Sequence, residues 1–94
     1  MKLWPFADCP NVAVFTVRSV WQSNKPILCV FHNSDDGAWQ FHADESPNEQ
    51  EASILSLDEI VALDPSVLEL ADLPTGWCAW RTSKDDPWKR KTVT

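Results

Sequence analysis

The sequence holds no tyrosine, only two glycines, three cysteines, and no lysine or arginine from Pro26 to Trp80. Each shortage excludes something. Two isolated glycines rule out a glycine-rich loop that would cradle phosphate, and neither a nucleophile elbow nor a His-Glu-x-x-His pair is present. Cys9, Cys29 and Cys78 are odd in number and far apart, which argues against a disulfide framework. They read as reduced thiols serving as small apolar side chains. A metal site drawn from Cys29, His32, His42 and a second cysteine is the alternative, but it lacks the close ligand pairs that structural zinc sites use. No apolar run approaches the roughly 20 residues a membrane span needs, and the start, MKLWPFADCPN, lacks the apolar core of a secretory signal. A cytoplasmic protein is expected.

The missing basic residues in the middle shape the charge layout. The net charge of −6 divides into +2 over residues 1–25, −11 from Pro26 to Trp80 and +3 from Arg81 onward. Nucleic-acid binding needs clustered lysine and arginine, so a nucleic-acid partner is not expected. A basic protein partner fits the acidic middle, as does a plain solvated face.

What the chain has in quantity is aromatic surface: six tryptophans and four phenylalanines in 94 residues. Each buries roughly 150–250 Å², which offsets the thin core of a chain this short. We read residues 1–94 as a single α+β domain with an extended arm at 1–11 and a polar basic tail at 83–94.

The stretch from Asp64 to Trp88 is the most legible. Asp64 can cap a helix whose first residue is Pro65, and Val67, Leu70 and Ala71 form its apolar stripe. Leu73-Pro74 ends it, Thr75-Gly76 turns the chain, and Trp77 to Thr82 is a strand. Alternation sets Trp77, Ala79 and Arg81 on one face and Cys78, Trp80 and Thr82 on the other.

Upstream, Val12 to Arg18 is β-branched and aromatic and predicts a strand, and Ser19 to Pro26 a loop or short turn. Ile27 to His32 is apolar on both faces, as in a covered central strand. Ala38 to His42 alternates, and the five residues Asn33 to Gly37 make it the second arm of a hairpin. Ala43 to Glu51 is an acidic loop, Ala52 begins a short strand, and Ser56-Leu57-Asp58-Glu59 is a capping box that starts a helix ending near Leu63. The expectation is an antiparallel sheet of about four strands with two short helices on one face.

Taken together, KPILCVFHNSDDGAWQFH, SLDEIVALDPSVLELADLPTGWCAWR and DPWKR resemble a group of small bacterial proteins of uncharacterised function. The resemblance covers roughly residues 12–90. More distantly, through the Gly-Trp-Phe hairpin and the Asp-Pro…Leu…Pro-Gly block, the group is similar to an immunity-protein-type domain of bacterial toxin systems. It implies the fold and a bacterial cytoplasm, and it brings no activity, cofactor or catalytic residue with it.

A non-catalytic protein-binding module is therefore expected, possessing no catalytic residue and requiring no cofactor. An open sheet face would expose some tryptophan, and Trp and Arg dominate interaction hot spots. Trp77, Trp80, Arg81 and Trp88 are the candidate contacts, with Glu45, Glu49 and Glu51 of the acidic loop as steering charge. A structural homodimer through the open face or an edge is the alternative, and a small enzyme using His32 or His42 a weaker one. Asp35-Asp36 and Asp58-Glu59 read as turn and helix-start carboxylates.

Overall fold

In a computed structural model, residues 4–43 and 52–93 are described. They form six strands: β1 (Ala13–Val17), β2 (Cys29–His32), β3 (Trp39–His42), β4 (Ala52–Ser56), β5 (Trp77–Trp80) and β6 (Lys89–Thr92). Three short helices accompany them: α1 (Arg18–Gln22), α2 (Leu57–Leu63) and a 3-10 helix (Pro65–Leu70). The sheet order is β4-β1-β3-β2-β5-β6. β1 and β3 run parallel and every other neighbouring pair is antiparallel.

The domain is thus α+β, with three differences from the expectation. The sheet has six strands and is mixed rather than a four-stranded antiparallel one, because β1 pairs with β3 and not with β2, its successor in the chain. The segment 83–94, read as a polar basic tail, is in part a strand, β6, paired along its length with β5. A third helix, α1, replaces the expected loop. No helix among the described residues is long and apolar enough to cross a membrane.

The core lies on one face. Thr16, Phe41, Val30 and Ala79 make a cross-strand row over β1, β3, β2 and β5, and all four are buried. Val20 of α1, Leu57 and Ile60 of α2, and Val67 and Leu70 of the 3-10 helix join the same cluster, so the helices cover this face. The hairpin registers as the alternation predicts, with Trp39 and Phe41 both directed into the core. Gly37 (φ 72°) closes the hairpin turn in the left-handed region, where a side chain would be strained. The arm folds onto the same cluster: Phe6 meets Trp39 edge-on at 5.4 Å, and Trp39 Nε1 donates to Asp8 Oδ2 at 2.8 Å.

The capping box at α2 is formed on its acidic side. Glu59 Oε1 accepts from the Ser56 backbone N–H at 3.1 Å and from the Ser56 hydroxyl at 2.8 Å. The backbone bond, then the hydroxyl, holds the Glu59 carboxyl below its ordinary pKa of 4.5. A lowered folded-state pKa gives stability that is fully present above the unfolded value and lost as pH falls through the folded one. Glu59→Gln should therefore lower the denaturation midpoint near neutral pH. That difference should shrink as the pH falls below about 4.5 in an acid-denaturation series.

Candidate functional site: the open face of the sheet

The face away from the helices carries a second continuous row. Ile54, Phe15, Gln40, Phe31, Cys78 and Lys91 stand opposite one another in turn across all six strands. Beside them His42, Cys29, Trp80 and Lys89 form the next row. The face is graded. At the β4–β1 end Ile54 is 64% exposed and Phe15 46%. At the β6 end lie Lys89 and Lys91, with the Lys91 ammonium 5.0 Å from the centre of the Trp80 ring.

Polar groups bind the middle together. Gln40 Nε2 donates to Asn33 Oδ1 at 2.8 Å, and His42 Nε2 lies 3.0 Å from Gln40 Oε1. A carbonyl oxygen only accepts, so His42 carries a proton on Nε2. The edge of Phe31 meets the His42 ring at 5.8 Å. Toward β6 the face holds a shallow cleft of about 300 Å³, lined by Cys29, Phe31, Cys78, Trp80 and Lys91. Burial pushes the Cys78 thiol up, with Lys91 pulling the other way. Both Cys29 and Cys78 are buried while Cys9 is exposed. The thiolate is the reactive form, so a thiol reagent should modify Cys9 first in the native protein and the other two only on unfolding. Fast native labelling of Cys78, read by peptide mass, would contradict this placement.

The expected contact residues divide among different places. Trp80 is half-buried on the open face. Trp77 is on the core side, opposite His32. Trp88 packs against the core and donates to the Ser66 carbonyl at 3.3 Å. Arg81, expected as a surface hot spot, is 5% exposed. Its Nε donates to the Ile27 carbonyl at 3.0 Å, its terminal nitrogens to the Lys84 carbonyl at 3.1 Å and to Asp64 at 2.7 Å, and Trp88 covers it at 4.1 Å. That cluster is a joint of the fold. Glu45, Glu49 and Glu51 lie outside the described residues.

His32 and His42 are not brought together. The register sets His32 opposite Trp39 and His42 opposite Cys29. An odd offset along the strands puts them on opposite faces. His32 stacks on Trp39 at 3.8 Å, and its Nδ1 donates to the Leu73 carbonyl at 2.7 Å. The candidate carboxylates serve local backbone: Asp35 accepts from the Asp36 N–H, and Asp36 from the Ala38 N–H, each at 2.9 Å. Among the described residues no three His, Cys, Asp or Glu side chains gather closely enough to hold a metal ion.

Phe15 and Ile54 are the residues that the sequence reading passed over. Their signal is an apolar side chain on the outward phase of strands that also have an inward apolar phase: Val14 beside Phe15, Leu55 beside Ile54. Such a pattern normally marks a covered strand. Here it falls on the outermost strand and its neighbour. No family model matches the chain, and neither a curated protein nor a solved structure matches it.

Proposed function

We propose that this chain is a non-catalytic protein-binding module, an immunity or regulatory protein of a bacterial cytoplasm, that takes a basic protein partner on the β4–β1 end of its open sheet face. The observation that carries the reading is the exposed pair Phe15–Ile54, directly opposed across β1 and β4. Apolar side chains so placed form the dry centre that an interface needs. Acidic residues flank β4 in the sequence and supply the rim of this reading: Asp58 and Glu59, both exposed, follow the strand, and Glu51 immediately precedes it. The basic residues of the C-terminal end are partly spent at the far side, in the ion pairs Arg81–Asp64 and Arg90–Asp72. The acidic rim then steers a basic partner, raising the on-rate more than the final affinity.

The test is capture from the source-cell lysate on wild-type and Ile54→Lys baits, followed by stopped-flow kinetics with the protein that only the wild type retains. Association should slow by roughly tenfold or more between low and physiological salt. It should slow similarly when Glu45, Glu49 and Glu51 are changed to Lys, while dissociation changes less. Association indifferent to both would reduce the acidic middle to a solvated face.

A further inference from the structure

We infer that the partner is held by strand addition: an extended segment bearing basic side chains pairs with the outer edge of β4. The inference rests on the binding-module reading and goes beyond it in naming the backbone as the docking element. The two edges of this sheet are unlike. β6, Lys89–Thr92, carries Lys89, Arg90 and Lys91 and is guarded as natural edge strands are. β4, Ala52–Ser56, reads ASILS, with no charge, no proline and an exposed isoleucine at its centre. Among the described residues its pairing is to β1.

The hydrogen-bond phase shows what that edge offers. The Leu57 N–H donates to the Val12 carbonyl at 2.9 Å. Antiparallel pairs alternate between bonded and non-bonded, so Leu55 and Ser53 address β1, while Ala52, Ile54 and Ser56 direct N–H and C=O outward. The Ser56 N–H confirms the phase, since Glu59 takes it from outside the sheet. Ala52 and Ile54 remain as two outward donor–acceptor sets at the strand spacing of an added partner.

Charge selects the occupant. A second copy, paired antiparallel about Ile54, would bring the acidic residues before the strand in one chain toward Asp58 and Glu59 after it in the other. Like charges so opposed repel. A segment alternating apolar and basic side chains meets Ile54 and Phe15 on one face and the exposed Asp58 and Glu59 just beyond the end of the strand.

The experiment is amide hydrogen exchange on the whole chain, alone and with an eight-residue peptide of alternating valine and arginine. A peptide of alternating valine and glutamate serves as control. Exchange at Ala52 and Ile54 should slow by about tenfold or more with the basic peptide, and not with the acidic one. Ala52→Pro, which removes one outward N–H at an edge position that tolerates proline, should weaken peptide binding by about tenfold. The exchange measurement decides even if that variant does not fold. Absence of protection at saturating basic peptide overturns strand addition, as does equal protection by the acidic peptide. Protection that grows with protein concentration and no peptide overturns the choice of occupant in favour of a second copy. If Ile54→Lys abolishes capture of the natural partner while these amides stay unprotected in that complex, the module reading stands and strand addition falls. If Ile54→Lys leaves capture intact, both fall.

Discussion

Asp64→Ala should destabilise the domain by about 3–5 kcal/mol, far more than a lost helix cap. The cap alone is worth about 1 kcal/mol. Asp64 does hold it: Oδ1 accepts from the Ser66 N–H at 3.1 Å and from the Ser66 hydroxyl at 2.6 Å. The other oxygen meets Arg81 at 2.7 Å, and the arginine side chain is only 2% exposed. Removing the carboxylate strands a desolvated guanidinium, and breaking one side of a buried pair typically costs about 3–5 kcal/mol. Asp64→Asn separates the two roles, because asparagine caps as well as aspartate but leaves the charge uncompensated. Arg81→Lys should also destabilise the domain, since a single ammonium cannot serve Ile27, Lys84 and Asp64 together. Urea denaturation reads all three. A loss of only about 1 kcal/mol in Asp64→Ala would mean that Asp64 is a cap and nothing more.

Trp39→Ala should cost about 3–5 kcal/mol, the usual effect of emptying a buried aromatic site. Trp39 is 2% exposed. It is the meeting point of three parts of the chain: Phe6 stands on it edge-on, His32 stacks against it, and its indole N–H is taken by Asp8. Truncation leaves a cavity, frees the arm from the sheet and leaves the Asp8 carboxylate without that donor. Trp39→Phe should recover much of the packing and not the Asp8 bond, which places it between wild type and alanine. An unchanged midpoint in Trp39→Ala would put this face of the hairpin in solvent.

Most of the helical half and the hairpin were legible because each is specified locally. Asp64-Pro65, the Ser56–Glu59 box and the alternation of Trp39 and Phe41 need only neighbours in sequence to be recognised. β6 was not legible, because Lys-Arg-Lys-Thr has no apolar phase; its place comes from β5 alongside, and its charges suit an edge. α1 was hidden for a related reason. It has five residues, no capping side chain, and one buried residue, Val20. The parallel pairing of β1 with β3 is a property of topology, which no short window contains.

The candidate site was half legible. An open face bearing Trp80 follows from alternation, and it is there. Arg81 lies on the other phase of the same stretch, and the pattern could not show that Asp64, 17 residues earlier, would fold back to meet it. Phe15 and Ile54 are exposed because β4 is the last strand of the sheet, a fact set by strand order and not by composition.

That strand order gives the open face an apolar end and a basic end, and the proposed partner binds at the first. Calorimetric titration of the captured partner against Ile54→Lys and Lys91→Glu tests it most directly, since both residues lie in one cross-strand row at opposite edges. The prediction is at least tenfold weaker binding for Ile54→Lys, about 1.4 kcal/mol or more, and binding as tight as wild type for Lys91→Glu. Loss of binding in Lys91→Glu with wild-type affinity in Ile54→Lys would place the partner at the basic edge and contradict the account.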